Sequence, residues 1–134
     1  MEKVFHVEIL TPYGKYLSTD AEFLGVKSGM GVLGILPNHA PLITTIEISK
    51  LVIKSGGETL KYAVSGGLMN IKKGTEVTLL VNTIERSDEI DVKRAQDAKK
   101  RAEERLKSSD EVDVTRAKAA LSRALNRISV HEDL

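Results

Sequence analysis

The chain has 134 residues, with 20 Lys plus Arg against 19 Asp plus Glu, a formal net charge of +1 and no cysteine. That length fits one domain, or a small domain with an appendage, and suffices to bury a core. Disulfide scaffolds, thiolate metal sites and cysteine nucleophiles are excluded, and near-neutrality gives no whole-molecule attraction to nucleic acid or anionic lipid.

The amino terminus, MEKVFHVEIL, enters a strand pattern directly, with Phe5, Val7 and Ile9 on one face of Val4–Leu10. No secretory or transit signal is expected, and no apolar run approaches the roughly 18–20 residues of a membrane span. The closing HEDL is not the order of a retention tag, so a soluble cytosolic protein is the default expectation. Thr11-Pro12-Tyr13-Gly14 turns the first strand. Ala21–Lys27 is a second run, and Val32–Leu36 and Pro41–Ile46 flank a corner at Pro37-Asn38-His39. Leu51–Lys54 and Thr59–Val64 bracket Gly56-Gly57, a hairpin turn, and Leu68–Ile71 and Glu76–Val81 bracket Lys73-Gly74. Short strands at this spacing predict a compact antiparallel sandwich or flattened barrel.

Gly29-Met30-Gly31-Val32-Leu33-Gly34 spells G-x-G-x-x-G, but the chain continues as strand into a turn rather than opening a helix. Tight β-turns therefore account for it better than a phosphate loop. Ser49, Ser55 and Ser65 lack a nucleophile elbow. The three histidines have no ligand spacing, and His39 between two prolines reads as a structural loop residue. No catalytic set and no metal site is expected.

Composition changes near residue 85. All five aromatic residues and all ten glycines precede it, whereas every arginine lies at or after Arg86. Ile84–Ile90 reads as a polar connector. Asp91–Leu106 and Asp113–Ile128 then share D-V-x-R-A-x-x-A-x-x-R-A-x-x-R followed by an aliphatic residue. Both copies are rich in strong helix formers, lack Gly and Pro, and open on an Asp suited to an N-cap. They predict two helices joined by Lys107–Val112. The apolar seams are Ala95, Ala98, Ala102 and Leu106 in the first, and Val114, Ala117, Leu121, Ala124 and Ile128 in the second, with Ala120 and Leu125 beside it. A buried methyl is worth about 0.8 kcal/mol, so an alanine-rich hairpin is weakly held although each helix is intrinsically stable.

In each copy the arginines fall at i, i+7 and i+11, namely Arg94, Arg101, Arg105 and Arg116, Arg123, Arg127, which places each set on one helix face. A solvated surface explains the first row, where Asp97, Glu103 and Glu104 are interspersed. The second differs, because Val114–Val130 contains Arg116, Lys118, Arg123 and Arg127 and no acid. Such a row calls for an external anion: an acidic protein surface, a nucleotide phosphate or, least well, nucleic acid, since the helices carry no aromatic for base stacking. Guanidinium forks match phosphate oxygens in pairs, and Asp91 could accept from a ribose or an adenine amino group.

Gly31–Leu42 (GVLGILPNHAPL), Ser65–Gly67, Ile90–Ala95 (IDVKRA) and Ala119–Arg127 (AALSRALNR) together resemble the epsilon subunit of bacterial F-type ATP synthases, in order and over essentially the whole chain. The resemblance implies a β-sandwich of about ten strands over residues 1–85, attached to the γ subunit and the membrane c-ring, and a regulatory helical hairpin over 86–134. It implies a non-catalytic rotor subunit of the central stalk, peripheral on the cytoplasmic face of the bacterial plasma membrane, that helps couple proton flow to ATP synthesis. Extended along γ toward the catalytic β subunits (and α), the helices would meet an acidic β-subunit segment and block ATP hydrolysis. Several members bind ATP in the folded hairpin through an I/L-D-x-x-R-A motif, matched by Ile90, Asp91, Arg94 and Ala95. Glu85, Arg101, Arg123 and Arg127 match further positions around such a nucleotide. No catalytic cofactor, no nucleic acid and no membrane insertion are implied. This chain departs at Met30 and Val32, where members often carry acidic or other polar residues near the c-ring. The alternative reading is a stand-alone binding module whose basic hairpin grips acidic protein or nucleic acid.

Overall fold

The computed structural model describes residues 3–73, 75–108 and 111–132. Within them the chain forms eight strands and then two helices: β1 (Phe5–Thr11), β2 (Gly14–Ala21), β3 (Phe23–Ser28), β4 (Gly31–Ile35), β5 (Leu42–Ser55), β6 (Glu58–Lys72), β7 (Glu76–Val81), β8 (Ile84–Arg86), α1 (Val92–Ser108) and α2 (Glu111–Glu132). A 3-10 turn at Ser87–Glu89 links β8 to α1.

One continuous ladder, β2-β1-β7-β6-β5-β3-β4 with β8 also on β6, folds over into both layers of a sandwich. Strands β5 and β6 make this possible by running through both layers. The first half of β5 pairs with the second half of β6 beside β7, and their other halves lie between β8 and β3. The inward positions exchange parity midway. Thr44 and Ile46 are buried before the change and Leu51 and Ile53 after it; on β6 the sets are Tyr62 with Val64 and Met69 with Ile71. At the crossover Ile46 pairs Gly67 and Ile48 pairs Ser65, while the intervening Gly66 has φ +108° and accepts from Asn82 N at 2.9 Å. A Cβ on Gly67 would collide with the backbone of Leu80 and Val81, so no side chain fits there.

The core between the layers is one cluster that includes Phe5, Val7, Ile9, Leu24, Val26, Ile35, Leu51, Ile53, Tyr62, Met69, Ile71 and Leu79. Tyr62 meets Tyr16 edge-on, with centroids 6.1 Å apart at 84°. Burial raises the pKa of both phenols above the ordinary 10.0, and the Glu89 carboxylate pushes in the same direction. Arg86 opposes the shift of both.

The sandwich and the two-helix appendage agree with the sequence reading, but the strand inventory differs. There are eight strands among the described residues, not about ten. The pairs Pro41–Ile46 with Leu51–Lys54, and Thr59–Val64 with Leu68–Ile71, each merge into one long strand, because a bend without chain reversal still breaks hydrophobic alternation. Strand β2 was missing from the sequence reading; as an edge strand it exposes most of its side chains and shows little apolar patterning. Pairing is not wholly antiparallel, since β1 lies parallel to β7. The polar connector contains β8 and the 3-10 turn. Of the expected helix joint, Lys107 and Ser108 belong to α1 and Glu111 onward to α2; Ser109 and Asp110 lie outside the described residues. Asp113 is therefore inside α2, and only the first copy of the repeat begins at its Asp.

Gly29 and Met30 form the two-residue turn between β3 and β4, with Ser28 paired to Gly31. Ser28 Oγ donates to Gly31 O at 2.9 Å and accepts from Met30 N at 3.1 Å. The last glycine of the G-x-G-x-x-G run, Gly34, pairs with Gly25, and the Phe23 ring lies over both. The motif is hairpin chemistry, as the turn reading held.

Gly67→Ala should destabilise the chain by about 3 kcal/mol or more, because backbone must move to admit the methyl; urea unfolding measures it, and a near-neutral result would contradict the crossover geometry. The tyrosine pair sets an alkaline limit. Its contribution is fully present below pH 10 and is lost as pH rises through the elevated folded-state values. Stability measured against pH should therefore fall above pH 10, with a shallower fall in Tyr62→Phe.

Candidate functional site

Asp91 caps α1: Arg94 N donates to Asp91 Oδ1 at 3.0 Å and Ala95 N to Asp91 O at 3.0 Å. Such a cap is worth about 1 kcal/mol and fixes where Arg94 projects. The two helices meet along small residues, with Ala95, Ala102, Ala117 and Ala124 all buried. Alpha carbons approach closely along such a seam, so the hairpin is compact but buries little apolar volume.

Helix α2, not α1, carries most of the attachment to the sandwich. Positions 123, 126, 127 and 130 share one helical face, and that face meets β5, β6 and β8. Val130 is buried with Ala63 of β6 and Ile90. Asn126 Nδ2 donates to Ser49 O at 2.9 Å and to Val64 O at 3.4 Å. Arg127 Nη2 donates to Glu85 Oε2 at 2.8 Å, while its buried Nε lies 2.5 Å from Oε1 without hydrogen-bond alignment. His131 Nδ1 is 3.1 Å from Ser87 O, as a donor if that nitrogen holds the proton.

This docking leaves a cleft of about 300 Å³ at the junction of sandwich, α1 and α2, at the low end of the roughly 300–1,000 Å³ typical of small-molecule sites. Ala63, Val64, Ser65, Thr83 and Glu85 form its sheet side; Arg94, Arg123, Asn126 and Arg127 form its helix side. Thr83 Oγ1 donates to Ser65 Oγ at 2.7 Å. Three guanidinium groups thus converge with Glu85 as the one acid in the lining, and the sum is cationic. The arrangement can hold an anion with several oxygens; a phosphate chain is the chemistry guanidinium forks match.

Of the eight residues singled out from sequence, Glu85, Arg94, Arg123 and Arg127 are brought together here. Ile90 and Ala95 are buried packing residues, and Asp91 is the helix cap. Arg101 is exposed on α1 and does not line the cleft. The two arginine rows therefore do not face each other along their length: the first contributes its leading member, the second its last two. Sequence reasoning missed Ser65, Thr83 and Asn126. For Asn126 a signal existed, because asparagine is disfavoured within a helix unless its amide finds partners, and it sits one turn after Arg123.

The structure also aligns three residues that sequence reading left apart. Ser18 Oγ is 2.8 Å from His6 Nε2, and His6 Nδ1 is 3.2 Å from Asp20 Oδ1. They are cross-strand neighbours on the exposed face of β1 and β2, where His6 is 44% and Asp20 69% exposed. The line lies on a solvent-facing sheet surface outside the cleft, with no donors fixed to hold a tetrahedral oxyanion. No group of three or more acidic or histidine side chains among the described residues has metal-binding geometry, and no described helix is long and apolar enough to cross a membrane.

A β-sandwich carrying a docked helical hairpin, with a cationic cleft at their junction, defines a two-part binding subunit. Residues 4–87 match the family described as ATP synthase, Delta/Epsilon chain, beta-sandwich domain, and residues 88–132 match its long alpha-helix domain. The chain belongs to this family. It is 48% identical over 105 residues to the ATP synthase epsilon chain of Pelotomaculum thermopropionicum, covering 78% of each chain. It is 44% identical over 108 residues to that of Desulforamulus reducens, covering 81% of each. In fold it resembles a chain in the mitochondrial ATP synthase of Euglena gracilis (OSCP/F1/c-ring), with TM-score 0.85 at 18% identity over 94% of this chain and 80% of that one. A chain of the Tetrahymena thermophila central stalk and c-ring gives TM-score 0.71 at 15% identity over 97% of each. Family membership makes this a non-catalytic subunit of the F-type synthase, associated with the membrane through its complex.

Proposed function

We propose that this chain couples and regulates the rotor of a bacterial ATP synthase, with the sandwich as its fixed attachment and the hairpin as its switch. Residues 1–85 hold the γ subunit and the c-ring at the cytoplasmic face of the plasma membrane. Exposed apolar residues supply that contact: Met30 and Val32 at the β3–β4 turn, Leu36, Ile43, and Leu68 beside Leu80 on adjacent strands. An apolar turn replaces the polar contact common in relatives, so desolvation rather than ion pairing would drive this end.

ATP is the regulatory ligand in this reading. The carrying observation is the convergence of Arg94 from α1 with Arg123 and Arg127 from α2 on one cleft floored by the sandwich. A polyphosphate held there would tie both helices to the sheet, and Asp91 would fix Arg94 through its cap rather than through the ligand. The donor set fits: three guanidinium groups with Ser65 and Thr83 hydroxyls nearby. In the absence of ATP the helices extend along γ. Arg116, Arg123 and Arg127 then meet the acidic segment of a β subunit and oppose ATP hydrolysis. Linkage sets the scale. A ligand at a hundred times its Kd stabilises the docked state by about 2.7 kcal/mol. Reversing a 1:99 population to 99:1 takes about 5.5 kcal/mol, so ATP and the partner subunits must share the work.

Titrating the isolated chain with ATP should give saturable binding, weakened at least about tenfold by Arg94→Ala or Arg123→Ala, a change of about 1.4 kcal/mol. Absence of saturation up to millimolar ATP, or affinity indifferent to both substitutions, would remove the nucleotide role. Inhibition has its own test: a synthase assembled with the chain ending at Glu89 should remain intact and hydrolyse ATP faster, and unchanged hydrolysis would defeat it.

A further inference from the structure

We propose that Asn126 is the positioning residue of the cleft and the pin on which hairpin docking turns. Its carboxamide donates to Ser49 O on β5 and Val64 O on β6, which are paired residues of neighbouring strands. One side chain therefore clips α2 to both strands, next to the crossover where β5 and β6 change layers.

The neighbouring contacts show why this residue outweighs the rest. The docked face includes Arg123, Asn126, Arg127, Val130 and His131, and of these Val130 alone is apolar. Its single buried side chain gives the interface little non-directional adhesion and no preferred rotation. The Arg127–Glu85 pair is partly exposed, at 25% and 32% for the two side chains, so water competes for it. His131 reaches Ser87 through a single contact. Asn126 makes two hydrogen bonds to fixed backbone, and those set the rotation of α2. At i−3 and i+1 from it, Arg123 and Arg127 are thereby aimed into the cleft that Asn126 itself lines. Hairpin release is a loss of this clip rather than a melting of the helices, whose alanine seam and helix propensity are independent of it.

The inference rests on the reading that the hairpin leaves the sandwich, yet its test needs neither ATP nor the synthase. The natural chain has no cysteine, so Gln96→Cys on α1 and Glu58→Cys on β6 accept a spin-label pair in the full chain. Double electron–electron resonance then reports docking. Asn126→Ala should move at least half of the molecules to longer distances while far-UV ellipticity stays or rises, because alanine is the better helix former. Asn126→Gln, which keeps the carboxamide, should retain a larger docked fraction than Asn126→Ala. Asn126→Asp, which keeps the shape but cannot donate when ionised, should resemble Asn126→Ala. An unchanged docked distance in both the Ala and Asp variants would overturn the proposal, as would a loss of ellipticity in step with undocking. Undocking without any change in the hydrolysis rate of the assembled synthase would leave the pin standing and count against the regulatory reading instead.

Discussion

The approach of Gly67 to the backbone of Leu80 governs the architecture. Strands β5 and β6 can serve both layers only if their inward faces exchange halfway, and that exchange brings main chain against main chain where a side chain would stand. With the crossover in place, β7 completes one layer and β8 the other along the same strand β6. The carbonyl of Val64, just before the crossover, then lies where Asn126 reaches it. The cleft is a consequence of the same geometry, since Val64 and Ser65 form part of its floor. A glycine pair within a sheet thus determines where the helices sit.

The two halves of the molecule are held by different physics. The sandwich is a continuous apolar cluster, including a fully enclosed Tyr62, and burial of that kind is worth about 25 cal/mol per Å². The hairpin has alanine between its helices and a polar face toward the sheet. Its helices need little from tertiary contact to remain helical, because the interior residues are strong helix formers and α1 is capped by Asp91. Secondary structure and docking are therefore separable in the hairpin and inseparable in the sandwich. That separation is what a switch requires: a rigid base, and an arm that keeps its shape when detached.

Legibility in the sequence followed the same division. The helices were readable because period, capping and propensity agree locally, and the arginine repeat marked their faces. The sandwich was readable as a class from alternation and turn residues. Its strand inventory was not, because alternation breaks at the β5–β6 crossover just as it breaks at a turn. Strand β8 was hidden for another reason: Ile84-Glu85-Arg86 is polar on its exposed side and gains its pairing only from β6. Within the cleft, the charged members could be found from sequence because an acid-free row of cations demands an explanation. Ser65 and Thr83 could not, since a hydroxyl on a strand or in a short link carries no mark of what faces it.

The second copy of the repeat looks like the first and does different work. In α1 the leading Asp caps the helix and Arg94 is the only arginine of its row in the cleft; Arg101 and Arg105 point to solvent among neighbouring acids. In α2 the equivalent Asp113 lies past the helix start, and the row's last two members face inward. Antiparallel helices bring the start of one beside the end of the other, so a shared motif places unlike members side by side at the sheet. Arg116 stays exposed at the far end of the hairpin, away from the cleft. A ligand that gathers Arg94, Arg123 and Arg127 therefore neutralises the sandwich-facing end only.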